Sequence, residues 1–150
     1  MWRMGVRVRA LRGLITALEV MKSEICDRMT PLPELLDLLC RETKPPVNRL
    51  FLRLRQAMRN LGTQRFSTLW SDVVEHAYEL ELHEGERQAL SDLGKTLGRY
   101  DMDHQRQALA YTLRRLEGYL ETAEEAKRTQ GKVHAVVSLA LGAFVVLILL

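Results

Sequence analysis

The polar side chains best placed to bind a metal ion occur in the segment Asp101-x-Asp103-x-Gln105. These alternating positions resemble the start of an EF-hand calcium loop, whose oxygen ligands also alternate along the chain. That loop needs Gly at its sixth position and Glu at its twelfth, where this chain has Arg106 and Thr112. The metal interpretation therefore fails. We predict instead that Asp101 is an N-cap and that its charge complements the positive end of a helix.

The histidines offer no better catalytic constellation. His76 lies close in sequence to Glu75 and Glu79, but the spacing matches neither HExxH nor a carboxylate–histidine motif. The sequence also has no GxSxG segment, no phosphate-binding glycine loop and no CxxC pair. Cys26 and Cys40 lie in apolar helical patterns, where reduced cysteines behave as small hydrophobic residues; a disulfide is the alternative. We predict that the protein is not an enzyme and has no catalytic residue, cofactor or metal.

The elements that position these side chains are all predicted to be helices. Apolar residues recur at intervals of three and four, whereas no segment alternates as a strand does. The first helix should cover about residues 6–28, and Thr30 should cap a second helix with Pro31 in its first turn. A third should run from Val47 to Gly62, and a fourth from about Phe66 to Leu80. The predicted fifth and sixth helices run from about residue 84 to 98 and from 101 towards 131.

Because short loops join these helices, the sequence predicts an all-α fold, an antiparallel up-and-down bundle of about six helices. Ser67 is available to cap the fourth helix. The apolar stripes have two interpretations, which spacing does not separate. They form the core of one bundle, or part of the seam on the first or last helix is an interface with a partner.

The last 18 residues, 133–150, contain no charged side chain. At about 1.5 Å per residue they reach roughly 27 Å, close to the hydrocarbon thickness of a bilayer. A buried helix of a soluble core is the alternative, but such a helix should show a polar face. We therefore divide the chain into a helical bundle (residues 1–130) and a C-terminal transmembrane anchor (residues 131–150). The predicted anchor residues are Val133, Val136, Val137, Leu139, Leu141, Phe144, Val145, Val146, Leu147, Ile148, Leu149 and Leu150.

The net charge of +3 arises mainly from two basic clusters. One is Arg3, Arg7, Arg9 and Arg12, and the other is Lys127, Arg128 and Lys132 just before the anchor. Basic residues beside a membrane segment follow the positive-inside rule and attract anionic headgroups. We therefore expect the soluble region on the cytosolic side of a cell membrane. Nucleic-acid binding is not predicted, because no DNA- or RNA-binding motif accompanies the charge.

Two blocks of the sequence resemble the stage III sporulation protein AB family. The first, residues 13–36, matches through Leu14, Leu18, Glu24, Ile25, Thr30, Pro31, Leu32 and Pro33. The second, residues 90–109, matches through Leu97, Gly98, Asp101 and Gln105. With the apolar C-terminal helix, the resemblance covers about residues 7–150.

The resemblance implies a membrane component of the sporulation apparatus that links mother cell and forespore. It also implies a soluble region similar to the cytoplasmic domain of the type II secretion F protein. The implied partners are a secretion-type ATPase similar to stage III sporulation protein AA, other channel components and further copies of the chain. The alternative from the residues alone is a generic tail-anchored helical adaptor, or coiled-coil scaffold, without a secretion role.

The chain departs from the family pattern at its beginning. Family members usually begin with a transmembrane segment, whereas this sequence begins MWRMGVRVRALR. Since a span needs about 20 apolar residues, this start is too short and too basic. We expect the first span to lie upstream, with a trimmed start or a lost span as the alternatives.

Overall fold

A computed structural model describes residues 2–60, 64–98 and 101–150. The helices are α1 (Trp2–Lys22), α2 (Leu32–Glu42), α3 (Val47–Asn60), α4 (Phe66–Glu75), α5 (Glu84–Thr96) and α6 (Met102–Leu149), with a π-helical turn at Ser23–Asp27 and a 3₁₀ turn at Tyr78–Leu80. No strand occurs within the described ranges. The predicted all-α fold of about six helices is confirmed.

Side-chain contacts establish the direction of the helices. Arg12 Nη2 donates to Glu124 Oε1 at 2.6 Å, and Arg106 Nη2 donates to Asp27 Oδ1 at 3.2 Å, so α1 runs antiparallel to α6. Likewise, Arg115 contacts Asp92 while Gln105 contacts Gly98, so α5 is also antiparallel to α6. The α4–α5, α3–α4 and α2–α3 pairs complete an up-and-down arrangement.

This arrangement gives the bundle two ends. The anchor-side end comprises the start of α1, the α2–α3 joint at residues 43–46 and the α4–α5 joint at residues 76–83. The far end comprises residues 28–31, the start of α4, and Gly98 with Asp101. The chain leaves the bundle at the anchor-side end, along the second half of α6.

The apolar stripes form the bundle core. On α1 the stripe residues Leu11, Leu14 and Leu18 are buried, and on α6 Leu109 and Leu116 are buried. Burying each such side chain contributes about 1.5–3 kcal/mol against the entropy of ordering the chain. Of the two interpretations left open, the core is the one observed for these residues.

Trp70 joins α4 to α5 in this core. Its indole Nε1 donates to the backbone oxygen of Leu90 at 2.6 Å, which satisfies the polar edge of a buried ring. A Cβ added at Gly94 would lie 2.2 Å from Trp70 Cδ1. The absence of a side chain at Gly94 is therefore what lets the two helices approach.

Several predicted boundaries were wrong. The first helix does not continue as an α-helix to residue 28, because the hydrogen bonding changes to a π-helical turn after Lys22. The fourth helix ends at Glu75 rather than Leu80, and Arg65 rather than Ser67 occupies its N-cap position. The predicted end of the third helix at Gly62 lies outside the described residues. The predicted start of α5 after His83 and its end near Gly98 are confirmed.

Helix α6 continues well beyond the bundle. It has 48 residues, a length of about 72 Å, and its last buried residue is Ala123. It runs unbroken through Gly131, and every residue from 131 to 150 is exposed. Among the described residues, α6 is the one helix whose length and apolar composition suffice to cross a membrane.

Candidate functional site

The far end of the bundle contains the family-matched positions of the first block that follow α1, from Glu24 to Pro33. Thr30 donates twice to Glu24, from Oγ1 to Oε2 at 2.5 Å and from its backbone N–H to the carbonyl oxygen at 2.8 Å. These bonds close the chain over the π-helical turn. Between them, Met29 has a φ of 55°, a left-handed conformation that residues with a β-carbon rarely adopt. Its side chain is 72% exposed.

The prediction that Thr30 caps the second helix was wrong. Pro31 occupies the N-cap position, α2 begins at Leu32, and Pro33 lies in its first turn, where a missing N–H costs nothing. Thr30 does not cap because its hydroxyl is already committed to the nearby Glu24 carboxylate. Glu24, Thr30, Pro31 and Pro33 therefore shape the turn between the π-helical segment and α2.

The turn from α5 into α6 lies within the second block. Leu97 is buried, and Gly98 has a φ of 73°, which only glycine adopts without strain. The Gly98 N–H donates to Gln105 Oε1 at 3.3 Å, so the amide of the nearly buried Gln105 supports this turn.

The predicted N-cap of the last helix is confirmed. Asp101 Oδ1 accepts from the backbone N–H of His104 at 2.9 Å. The hydrogen bonds from the backbone N–H and then the side chain of His104 hold the pKa of the Asp101 carboxyl below its ordinary value. Asp101 is therefore an ionised helix cap.

The two family-matched blocks meet at the far end. Arg106, on the second block, donates from Nη2 to Asp27 Oδ1 at 3.2 Å and to the carbonyl oxygen of Cys26 at 3.5 Å. Cys26 and Asp27 belong to the first block. The two blocks therefore contribute to one surface of the bundle, on the side opposite the point where α6 leaves it.

The groups considered for metal or acid–base chemistry do not converge. His76 Nδ1 lies 2.8 Å from the carbonyl oxygen of Asp72, while Glu79 forms an ion pair with Arg53. Within the described ranges, no group of three or more His, Cys, Asp or Glu residues is arranged to hold a metal ion. Cys26 and Cys40 are both free thiols, and burial raises the pKa of each.

The anchor residues share one location. All twelve lie on the part of α6 that extends past the bundle, and their side chains are at least half exposed. An apolar helix that buries none of its surface within its own chain is suited to a membrane. The observation favours a membrane anchor over the buried soluble helix.

An ion pair that sequence reasoning missed joins α1 to α5 at the anchor-side end. Arg7 Nε donates to Glu86 Oε1 at 2.6 Å, and the Glu86 side chain is only 1% exposed. The residues are 79 positions apart, so no local pattern could have paired them. The one available signal was that both charges interrupt otherwise apolar helix faces.

Comparison with known proteins gives consistent results. A family model described as Stage III sporulation protein AB matches residues 2–150. The Stage III sporulation protein AB of Bacillus subtilis (strain 168) is 26% identical over 145 residues, which cover 96% of this chain and 84% of that protein. A solved structure titled Stage III sporulation protein AB superposes with a TM-score of 0.75 at 26% identity, covering 83% of this chain and 98% of the other.

Proposed function

The chain belongs to the stage III sporulation protein AB family, and on that premise we propose that it is a non-enzymatic, membrane-anchored component of the sporulation secretion apparatus. In this role the bundle is a platform held at the bilayer by the exposed apolar part of α6. The relatives are named as sporulation proteins.

The observation that carries the proposal is the convergence of the two matched blocks at the far end, joined by Arg106 and Asp27. This surface points away from the anchor and is therefore accessible to a soluble partner. In our proposal the partner is a secretion-type ATPase similar to stage III sporulation protein AA. Exposed Met29 supplies an apolar contact at its centre. The platform also associates with other channel components and with further copies of the chain.

The proposed orientation places the bundle in the mother-cell cytosol. Lys127, Arg128 and Lys132 are exposed on α6 immediately before the apolar segment. Positive residues that flank a span remain on the cytosolic side. A cytosolic bundle would meet an ATPase, whose nucleotide is found in that compartment.

The test is a binding measurement between the full chain in detergent and the cognate ATPase. Met29→Asn removes the apolar side chain and retains a residue that tolerates the left-handed conformation. Tyr78→Asn is the matched control, because Tyr78 is also 72% exposed but lies at the anchor-side end. We expect Met29→Asn to weaken ATPase binding about tenfold and Tyr78→Asn to leave it unchanged.

The outcomes separate the parts of the proposal. No binding of the wild-type chain to the ATPase, together with no self-association at micromolar concentration, would exclude the platform function. Binding that is lost with Tyr78→Asn rather than Met29→Asn would move the contact to the anchor-side end. In either case, alkaline extraction of membranes tests the anchor by itself, since a helix that spans the bilayer resists extraction.

A further inference from the structure

A basic groove lies at the anchor-side end, between α1 and the α2–α3 joint. It has a volume of about 460 Å³, and its basic lining residues are Arg9, Arg12 and Lys44, with Glu42 as the acidic one. Arg9 and Lys44 are exposed, and neither has a carboxylate partner in the described part of the chain. Packing of the helices thus brings two cationic side chains, 35 positions apart in the sequence, to one concave surface, and neither charge is paired with a carboxylate of the described residues.

The groove is built by a close approach of two helices. A Cβ added at Gly13 would lie 2.8 Å from Val47 Cγ2, so α1 reaches the beginning of α3 only because residue 13 has no side chain. Gly13 lines the groove together with Thr43 and Pro45 of the α2–α3 joint. The basic groove is therefore a consequence of bundle packing.

Helix α6 extends the positive charge towards the membrane. Arg12 pairs with Glu124 in an exposed ion pair, whose contribution to stability is small. Arg128 and Lys132 follow Glu124 at intervals of four, which places them on the same helix face, next to α1. From Glu124 to the first anchor residue the helix rises about 14 Å. Arg12, which pairs with Glu124 at one edge of the groove, therefore lies within about two Debye lengths of a headgroup layer that begins at the first anchor residue.

We propose that the basic groove, together with Arg128 and Lys132, binds the phosphates of anionic phospholipids in the membrane that holds α6. The groove accepts a phosphate between Arg9 and Lys44, and the two α6 residues contact neighbouring headgroups. These contacts hold one side of the bundle against the bilayer. They thereby fix the direction in which the far end faces. This inference rests on the anchoring part of the proposed function and is independent of the ATPase.

The test uses the full chain in a neutral detergent and native mass spectrometry of its lipid adducts. Phosphatidylglycerol and phosphatidylcholine of equal chain length are the two probes, and inorganic phosphate is the competitor. We expect preferential retention of phosphatidylglycerol. The double variant Arg9→Glu, Lys44→Glu should reduce this retention about tenfold, since each basic residue near an anionic surface contributes measurably.

The matched control is the double variant Arg65→Glu, Arg114→Glu. It changes the net charge equally but at exposed positions outside the groove, one at the far end and one in the first third of α6. We expect it to keep the preference for phosphatidylglycerol. If the control loses lipid as strongly as the groove variant, the effect is one of bulk charge and the groove has no specific role.

Two further results would overturn the proposal. One is equal retention of the two lipids by the wild-type chain. The other is displacement of phosphatidylglycerol by inorganic phosphate at the same concentration, because that result would indicate a site for free phosphate. Should the glutamate variant fail to fold, Arg9→Gln with Lys44→Gln removes the charges without reversing them. Both variants should resist membrane extraction as the wild type does, because extraction tests the anchor. Easier extraction of a variant would show a defect in the anchor rather than in the groove.

Discussion

At the scale of single residues, a missing Cβ determines how closely α4 approaches α5. Trp70 is 1% exposed, and its ring occupies the position that a side chain at residue 94 would need. Gly94→Ala should therefore lower the free energy of unfolding by about 2 kcal/mol, because the rigid indole has to move within a packed core. Denaturant unfolding of the full chain in detergent measures this loss.

Gly118 on α6 is the control for that substitution. It is also helical, but a Cβ there meets nothing within 4 Å. Gly118→Ala should raise the free energy of unfolding by up to about 1 kcal/mol, since alanine loses less entropy in a helix. In a Trp70→Phe background, Gly94→Ala should cost less. An equal cost in both backgrounds would contradict the steric explanation.

Asp101 makes the stability of the far end dependent on pH. Its lowered pKa means that folding favours the ionised carboxylate. The stabilisation is fully present above the unfolded pKa of about 3.9 and is lost as the pH falls through the lower folded value. Asp101→Asn preserves a capping oxygen without a titrating group. Wild type should therefore be more stable than Asp101→Asn at pH 5, with a gap that narrows towards about pH 2 in pH-dependent unfolding.

At the scale of elements, the Arg7–Glu86 ion pair connects α1 to α5. One carboxylate oxygen of Glu86 has no hydrogen-bond partner in the described part of the chain, so Arg7 is what compensates the buried charge. Arg7→Ala should lower the free energy of unfolding by about 3 kcal/mol or more, because it leaves that charge buried and unpaired.

The double variant Arg7→Met, Glu86→Leu distinguishes charge from packing. It replaces both partners with apolar side chains and should recover most of the stability that Arg7→Ala loses. Chemical unfolding of the single and double variants gives the coupling free energy directly. If the double variant is as unstable as Arg7→Ala, the contribution of Arg7 is packing rather than charge compensation.

The helices were predictable from the sequence because apolar periodicity reports which face of a helix is buried. It does not report the hydrogen-bonding pattern of the backbone. Ala77 and Leu80 are buried as an unbroken stripe would have them, although Leu80 lies in a 3₁₀ turn. In the π-helical turn the stripe shifts by one residue, because Cys26 is buried and Ile25 only partly so. The periodicity therefore predicted the buried face, and it overestimated the length of the α-helices.

The candidate site was predictable only where the interactions are local. Asp101 caps α6 with an N–H three residues away, whereas Thr30 was assigned wrongly because Glu24, six residues upstream, takes its hydroxyl. The meeting of the two matched blocks depends on Arg106 and Asp27, which are 79 positions apart. Such a pairing is set by the topology of the whole bundle, which helix propensities and capping rules do not predict.

At the scale of the whole molecule, the bundle and the apolar end of α6 are energetically separate, because residues 131–150 are exposed throughout. A chain that ends at residue 132 should leave the membrane fraction. Its free energy of unfolding should remain within about 0.5 kcal/mol of the full chain, as for surface changes that remove no core contact. Membrane fractionation and chemical unfolding check the two halves of this prediction. Loss of the cooperative transition would show that the apolar segment also supports the bundle.

Because α6 runs unbroken from the bundle into the apolar segment, it transmits a change in the tilt of that segment to the bundle. A bilayer that thins or thickens changes the tilt of an apolar helix within it. The stretch of α6 from Met102 to Lys132 is about 46 Å long, so a change in tilt of about 10° would sweep the opposite end through about 8 Å. Mechanical information about the bilayer would thus reach the surface formed by Asp27, Met29 and Arg106 as a displacement, without any rearrangement inside the bundle.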